Sequence, residues 1–447
     1  MADSNSLFSW FMTISIVEDF IHTCFRRVRP FFVLLVFCFL FPHARAQKTS
    51  SRFDTLVSLV HQQLHAEVLN ELTLSGKGVR IAIVDAGFKH VNRHPAFEQL
   101  RQSGRIKGTW DFVNNRPDVY THSDHGTQVL SAVAGMYEGR KLGFAPDAEY
   151  YLFRTEHEKK EFLAEENYWI AALDSAKALG VDILISSVNF TYARYSLPDM
   201  NGDRVSVSRA AEKAAQEGML VVVAMGNEGD KDWKYMGAPA DAPSVLSVGG
   251  SQPSIPMHIQ FASVGPNARG ILKPELSAPA YVLAPFRRSK YRETAGTSFS
   301  APLIAGIAAC LKEQNPDLAG PELYEKIVQL GHLYPYFDYQ LGYGIPDLRK
   351  LQADLIPSDT TFKVYFVADT VFVTMDSSIV ADTANVPYGR VLHFHLQSAD
   401  QTLAAAQEVL IPNGTVGYYF LRRRRSRGIL RIWFAGYLWE QEIEMLP

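Results

Sequence analysis

Length, composition and charge place the chain among large folded proteins. It has 447 residues, of which 47% are hydrophobic and 20% charged, with a formal net charge of −3. A chain of this length buries a large core and has room for a smaller second unit. The nearly balanced charge argues against a partner selected by charge, and we expect no nucleic-acid partner.

Residues 1–46 predict a secretory signal peptide. Three arginines within 26–29 precede an apolar run over 31–41, which is too short to span a bilayer. The sequence Ala-Arg-Ala at 44–46 then forms a small-x-small cleavage site. A second apolar stretch at 7–17 leaves two interpretations open, an upstream start-site error or an uncleaved anchor. With the signal removed, we expect an exported chain (secreted, periplasmic or at the cell surface) without a stable membrane span.

Cysteine usage predicts a mature chain without disulfides. Two of the three cysteines, Cys24 and Cys38, fall within the predicted signal peptide. Cys310 remains alone in an apolar stretch, so we expect it to be a buried, small hydrophobic residue. The mature protein would therefore be stabilised by its core.

The next elements in chain order indicate an α/β domain. Residues 47–75 carry an amphipathic helical pattern followed by a turn, and residues 76–355 alternate strand-like and helix-like runs. This alternation predicts a doubly wound, mostly parallel sheet, because near-continuous apolar strands are typical of sheets covered on both faces. The predicted strands and helices cover 79–84, 150–153, 168–179, 183–188, 205–217, 219–224 and 244–248.

The chain changes character after a linker-like stretch at 356–359. Residues 360–447 predict a small C-terminal all-β domain, because apolar and alternating runs recur there. Ser426-Arg427-Gly428 predicts a hairpin turn between the last two runs. The four arginines at 422–425 are more typical of a solvated strand end than of a nucleic-acid or membrane site. The predicted strands cover 362–367, 371–375, 391–396, 416–421 and 429–434.

Ser298 lies in the sequence Gly-Thr-Ser-Phe-Ser-Ala-Pro at 296–302, ahead of the apolar run 303–309. This pattern predicts a sharp turn that leads into a buried helix, with the Ser298 hydroxyl at the positive end of the helix dipole. We expect Pro302 to be tolerated because N–H groups of the first helical turn lack an intrahelical partner. Taken alone, Ser298 is more typical of a helix N-cap than of a nucleophile.

Amide hydrolysis needs a base and a group that orients it, besides a nucleophile. Asp85 closes a buried strand, and the carboxyl ends of strands are where sites form in open α/β sheets. His125 begins a predicted buried helix, and Gly126 allows close backbone approach. Spacing alone does not exclude His122 or Asp124 from these roles.

Asn227 supplies the remaining function, a donor for a developing oxyanion. It lies between two glycines, directly after the predicted strand 219–224. Its alternative interpretation is an ordinary turn asparagine. Asp85, His125, Asn227 and Ser298 together favour a catalytic role more strongly than any one of them does alone, because all four fit one mechanism.

These motifs resemble those of the subtilisin-like serine peptidases, the subtilases. The resemblance covers about 76–355, and the order Asp, His, Asn, Ser matches that family. It also includes the sequence Gly-Tyr-Gly-Ile-Pro-Asp at 342–347, which is similar to the family's domain-closing segment. The motifs that carry it are Ile-Val-Asp-Ala-Gly at 83–87, His-Gly-Thr at 125–127, Gly-Asn-Glu-Gly at 226–229 and Gly-Thr-Ser-Phe-Ser-Ala-Pro at 296–302.

The resemblance implies a catalytic role for each motif. Ser298 would be the nucleophile, His125 the general base and then acid, and Asp85 the group that orients it. Asn227 would form the oxyanion hole with the Ser298 backbone N–H.

The resemblance also implies a substrate-binding segment at 186–189. This segment, with Ser187, Val188 and Asn189, would pair with an extended peptide as an edge strand and wall the first specificity pocket. The family usually has glycine where Asn189 stands, which bears on backbone approach and pocket depth.

The resemblance thus implies an exported serine endopeptidase that cleaves proteins or peptides through an acyl-enzyme intermediate. The chemistry would need no metal or organic cofactor, and structural calcium stays open because relatives bind it through scattered oxygens. The interval 47–77 is shorter than the folding prodomain of secreted members, so the chain folds without one or the β tail assists. The alternative is an inactive peptidase-like protein that holds peptide without cutting it. A further hypothesis makes the β tail an export or surface-attachment signal.

Overall fold

The computed structural model describes residues 51–157, 164–191, 194–353, 360–367, 370–377, 391–398, 403–411, 418–422 and 428–443. The signal peptide predicted at 1–46 and the linker predicted at 356–359 lie outside the described residues, as do three of the arginines at 422–425.

Most helices follow the sequence predictions. The amphipathic pattern near the N-terminus forms two helices, and it breaks at His65, whose φ of 52° is incompatible with a continuous helix. Helices predicted at 168–179 and 205–217 are confirmed with slightly shifted ends. The helices among the described residues are α1 (Arg52–Leu64), α2 (Glu67–Glu71), α3 (Glu98–Gln102), α4 (His125–Ala134), α5 (Ala164–Ala178), α6 (Ser206–Gln216), α7 (Thr297–Gln314) and α8 (Gly320–Gln329).

Residues 80–295 supply the main sheet and two short hairpins. Their strands are β1 (Arg80–Asp85), β2 (Ile106–Asp111), β3 (Met136–Tyr137), β4 (Arg140–Lys141), β5 (Glu149–Arg154), β6 (Ile183–Ser186), β7 (Leu220–Ala224), β8 (Leu246–Ser251), β9 (Leu276–Pro279), β10 (Tyr281–Phe286) and β11 (Lys290–Ala295). The main sheet has seven strands in the order β2-β5-β1-β6-β7-β8-β9. All of its pairs are parallel.

Alternate residues of the central strands explain why helices cover both faces of this sheet. Ile81 and Ile83 of β1 belong to an apolar cluster that includes residues of α4 and α7. Ala82 and Val84 belong to a second cluster, with residues of α5 and α6. Because both faces of each strand are buried, the strands are almost wholly apolar. The prediction of a doubly wound α/β fold is confirmed.

The carboxyl ends of three neighbouring strands lie at the same edge of the sheet. The register pairs Val84 of β1 with Ser186 of β6, and Ser186 with Val223 of β7. Asp85, Ser187 and the residues after β7 therefore meet at that edge. Helix α7 packs against β6, β7, β8 and β9 and against α4, so its N-terminus reaches the same region.

The C-terminal region is all-β, as predicted. Its strands are β12 (Phe362–Val367), β13 (Thr370–Met375), β14 (Val391–Ser398), β15 (Leu403–Leu410), β16 (Tyr418–Arg422), β17 (Gly428–Phe434) and β18 (Tyr437–Ile443). They form two sheets, in the orders β12-β13-β16 and β15-β14-β17-β18, and every pair is antiparallel.

The hairpin predicted at Ser426-Arg427-Gly428 is wrong. Strand β16 pairs with β13, whereas β17 pairs with β14 and β18, so the two strands that flank this stretch belong to different sheets. The tight turn instead joins β17 to β18 at Ala435 and Gly436, whose φ angles are 48° and 88°. Two consecutive residues with positive φ match the right-handed twist of a two-residue hairpin.

The four-stranded C-terminal sheet shares apolar contacts with the end of the α/β region. Leu333, Tyr336 and Leu341 pack with Trp433 of β17 in one buried cluster. The contacts of residues 52–447 accordingly form one compact unit. The domain boundaries at 47–75, 76–355 and 360–447 stay predictions.

Two further expectations concern single features of the chain. Cys310 is a free, buried cysteine, as predicted, and burial raises the pKa of its thiol to about 12. Within the described part of the chain, no helix combines the length and the apolar character that crossing a bilayer requires.

Candidate active site

Asp85 and His125 form a hydrogen-bonded pair at the carboxyl edge of the main sheet. Asp85 is the last residue of β1 and is fully buried, whereas His125 is the first residue of α4. The His125 Nδ1 atom lies 2.9 Å from Asp85 Oδ1 and 3.0 Å from Oδ2. Because an ionised carboxylate only accepts, Nδ1 carries the proton in this pair. In the neutral ring, Nε2 is then the basic nitrogen.

Two glycines allow this close approach of α4 to β1. A Cβ atom on Gly126 would lie 2.5 Å from the Gly87 carbonyl oxygen and 2.9 Å from Asp85 Cβ. Gly87 itself has a φ of 147°, a conformation that residues with a side chain rarely adopt. The prediction that Gly126 permits close backbone approach is confirmed.

The buried carboxylate controls the charge of the imidazole. Burial alone would lower the pKa of His125, but the charge of Asp85 and its hydrogen bond outweigh that effect and raise the pKa to about 9. Glu156 and Asp124 add smaller contributions in the same direction. The imidazole side chain is 36% exposed and reaches solvent, while the Asp85 side chain does not. The arrangement therefore stabilises a positive charge on His125.

The structure separates His125 from the two neighbours that spacing alone could not exclude. His122 Nε2 lies 3.1 Å from Arg116 Nη2 and 3.7 Å from Asp111 Oδ2, so this ring belongs to another polar group. Asp124 occupies the N-cap position of α4, where its side chain makes no capping hydrogen bond.

Ser298 lies at the start of α7, beside the start of α4. It is the second helical residue and is 6% exposed. The next residue, Phe299, has its ring centroid 5.8 Å from that of His125. Among the described residues, no hydrogen bond joins the Ser298 hydroxyl to the His125 ring. Catalytic hydrogen bonds often form only once substrate is bound.

Pro302 is placed differently from the prediction, which put it within the first helical turn. Helix α7 begins at Thr297, so Pro302 is its sixth residue, where an ordinary N–H would bond to the Ser298 carbonyl. That carbonyl oxygen instead accepts a hydrogen bond from Ser187 Oγ at 3.1 Å. The proline thus frees the backbone of Ser298 for a contact with the end of β6.

Asn227 is fixed to the N-terminus of the same helix. Its Oδ1 accepts hydrogen bonds from the backbone N–H and the hydroxyl of Thr297, at 2.9 and 3.2 Å. The Thr297 hydroxyl also contacts Gly226, the residue before Asn227. These contacts occupy the amide oxygen and leave the amide nitrogen as the available donor. Sequence reasoning overlooked Thr297, although its position next to Ser298 offered a signal.

The segment 187–189 differs from its prediction as a strand. Strand β6 ends at Ser186 and lies between β1 and β7, and the next three residues belong to no strand. Val188 is buried in the apolar cluster around α5 and α6, so its side chain is not open to a ligand. Asn189 Nδ2 donates to the Ala224 carbonyl at 2.9 Å. A role of this segment in substrate binding stays a prediction.

The fold and the site together define the class of the protein: a doubly wound α/β domain with an aspartate–histidine pair and a serine at a neighbouring helix start. A sequence model described as the subtilase family matches residues 76–344, more than half of the chain. The chain therefore belongs to the subtilase family.

Named relatives agree with this assignment. Serine protease AprX of Bacillus subtilis (strain 168) is 29% identical over 301 residues, which cover 60% of this chain and 65% of AprX. The membrane-bound transcription factor site-1 protease of Homo sapiens is 27% identical over 339 residues, which cover 71% of this chain and 30% of that protein. The chain thus spans less than two thirds of the length of either relative.

A solved protein structure has a fold similar to that of this chain. The MycP3 protease from the type VII (ESX-3) secretion system superposes with a TM-score of 0.52 and 18% identity, covering 65% of this chain and 86% of that chain. At this identity the similarity concerns the fold alone.

Proposed function

We propose that the chain is an exported serine endopeptidase that hydrolyses peptide bonds through an acyl-enzyme intermediate. The observation that carries this proposal is the pair of contacts from His125 Nδ1 to Asp85. They make Nε2 the proton acceptor, on a helix packed against the one that begins at Thr297-Ser298. Membership of the subtilase family supports the same reaction.

In this mechanism Ser298 Oγ attacks the carbonyl carbon of the scissile bond while His125 Nε2 takes its proton. Asp85 stabilises the resulting imidazolium, and the ring then gives the proton to the leaving amine. Water, activated by the same imidazole, hydrolyses the acyl-enzyme. Groups of the protein and water suffice for these steps, so we propose that neither a metal nor an organic cofactor takes part in the chemistry.

Asn227 Nδ2 and the Ser298 backbone N–H would stabilise the oxyanion of the tetrahedral intermediate. The position of Ser298 at the start of α7 adds the positive end of the helix dipole. Thr297 holds the amide oxygen of Asn227 and so presents the nitrogen before the reaction begins. Preorganised donors of this kind stabilise charge that develops only in the transition state.

Replacing Asn227 should therefore slow the chemical step with little effect on substrate binding. We expect Asn227→Ala to lower kcat by roughly 100- to 1000-fold while KM changes much less. The control is Asn201→Ala, since the Asn201 side chain bonds to the backbone of its own loop: Oδ1 accepts from the N–H groups of Asp203 and Arg204, and Nδ2 donates to the Pro198 carbonyl. An Asn227→Ala enzyme with unchanged kcat would remove Asn227 from the oxyanion hole.

The substrate would be an extended protein or peptide segment beside residues 187–189. Ser187 contacts the carbonyl of Ser298, so this segment is tied to the proposed nucleophile. Since the Val188 side chain is buried, its backbone and the Asn189 side chain are the groups we assign to substrate contact. Export would follow from the signal peptide predicted at 1–46.

Mass spectrometry of fragments from a mixed peptide library tests the proposed function. The full chain should release fragments, react with a fluorophosphonate at Ser298 and digest unfolded casein. A protein that retains peptides but yields no fragments and takes no label would instead be an inactive peptide-binding member of the family.

A further inference from the structure

A second polar cluster lies where the α/β region meets the C-terminal sheets. It consists of Asp338, in the segment after α8, and of His393 on β14 and Glu408 on β15. His393 and Glu408 are directly opposite each other in the β14–β15 register. One ligand atom of each of the three residues lies within 4.8 Å of the others. Two distant parts of the chain therefore bring one imidazole and two carboxylates together.

The cluster is buried and His393 is unsatisfied. The His393 side chain is 0% exposed, and neither of its ring nitrogens makes a hydrogen bond with a described residue. Glu408 Oε1 lies 4.0 Å from Nδ1, and it also makes no hydrogen bond with a described residue. Leaving such groups unpaired in the protein interior is costly. A ligand that accepts electron pairs from a ring nitrogen of His393 and from Glu408 Oε1 would reduce this cost.

The two carboxylates also lack a compensating cation among the described residues. Two buried carboxylates can coexist if they share a proton or if a cation lies between them. The imidazole beside them favours the cation, because nitrogen is a ligand of transition metals.

Backbone N–H groups orient both carboxylates. Asp338 Oδ1 accepts from the backbone N–H groups of Gln340 and Leu341, at 2.8 and 2.7 Å. Glu408 Oε2 accepts from the His258 N–H at 2.9 Å, which leaves Oε1 directed to His393. Outer hydrogen bonds of this kind hold ligating side chains in metal sites. The buried Tyr336 hydroxyl, also without a hydrogen bond to a described residue, belongs to the same surroundings.

We propose that Asp338, His393 and Glu408 bind a zinc ion that links the α/β region to the C-terminal sheet. Zinc takes nitrogen and carboxylate oxygen at about 2.0–2.2 Å, so ligand atoms around it lie about 3.4 Å apart. The three side chains would close by roughly 1 Å around the ion. Water or the Tyr336 hydroxyl completes a tetrahedral site. The site is separate from the proposed catalytic residues and does not depend on the proposed function.

The test is zinc binding by the full chain after treatment with a chelator and removal of any affinity tag. We expect one equivalent of zinc by equilibrium dialysis with metal analysis, and a higher Tm with zinc than without. Cobalt in place of zinc should give the visible absorption of a tetrahedral site, a readout that needs no variant.

Single substitutions locate the ion. We expect His393→Gln and Glu408→Gln to weaken zinc binding by roughly 100-fold or more. His94→Gln is the matched control, because His94 is also fully buried but packs against Phe97 and Tyr291. Binding of no zinc and no cobalt by the unaltered chain would overturn the proposal and leave a proton shared by the two carboxylates in its place. Zinc binding that persists in both cluster variants would overturn it equally.

Discussion

Ser298→Ala is expected to abolish peptide hydrolysis. Without the hydroxyl no acyl-enzyme can form, and the loss in kcat should be roughly 10⁶-fold, the magnitude known for removing the nucleophile of a subtilisin. The fold should persist, because the Ser298 backbone contact to Ser187 does not involve the lost atom. Cleavage of a fluorogenic peptide and labelling by a fluorophosphonate measure the effect.

Ser300→Ala is the matched control for this experiment. Ser300 lies on the same helix and is fully buried, but its hydroxyl donates to the Ala278 carbonyl at 3.0 Å. Loss of that hydrogen bond should cost about 1 kcal/mol of stability and leave labelling intact. If Ser298→Ala still reacts with the fluorophosphonate, Ser298 is not the nucleophile.

Asp85→Asn is expected to lower kcat by roughly 10⁴-fold, the magnitude that the same change shows in another serine protease. An amide beside Nδ1 can donate as well as accept, so it no longer selects the tautomer with a basic Nε2. The imidazolium also loses the charge that stabilises it. Steady-state kinetics at saturating substrate report this loss.

The pH profile distinguishes this role of Asp85 from a structural one. Because the pKa of His125 is raised to about 9, the free enzyme carries a protonated ring at neutral pH, and kcat/KM should rise as the pH passes through about 9. In Asp85→Asn the pKa of His125 falls, so the rise of the residual kcat/KM with pH should have its midpoint at a lower pH than in the unaltered enzyme. Asp124→Asn, which removes a weaker nearby charge, should shift the profile slightly and keep most activity. An unchanged profile in Asp85→Asn would contradict the proposed role.

The α/β fold could be predicted from the sequence because its central strands are apolar on both faces, a pattern typical of strands inside a covered parallel sheet. Ile81 to Val84 could be assigned to a buried strand from their composition, and Asp85 could be placed at its end. Placing Asp85 against His125 required the family resemblance, since 40 residues separate the two along the chain. Spacing along the chain did not distinguish His122 from His125 as the partner of Asp85. The structure does, because the His125 ring contacts Asp85 whereas the His122 ring contacts Arg116.

Other features depended on tertiary contacts that local patterns do not reveal. The sequence around β16 and β17 predicts that these two strands pair with each other as a hairpin. Instead, β16 pairs with β13 and β17 pairs with β14, and both partners lie much earlier in the chain. Strand β6 ends at Ser186, although the strand predicted from the sequence extended to Val188. The proposed zinc ligands Asp338, His393 and Glu408 escaped notice because no motif joins them, and only the register of β14 with β15 brings two of them face to face.

The apolar cluster of Leu333, Tyr336, Leu341 and Trp433 bears on how this protein can be divided for laboratory work. A recombinant fragment that stops near residue 355 would retain the first three side chains and present them to water as an adhesive patch. Poor solubility of such a fragment would then result from the exposure of these apolar side chains, and would not show that the α/β domain fails to fold. Useful truncations must either keep the C-terminal strands or replace these three residues with polar ones.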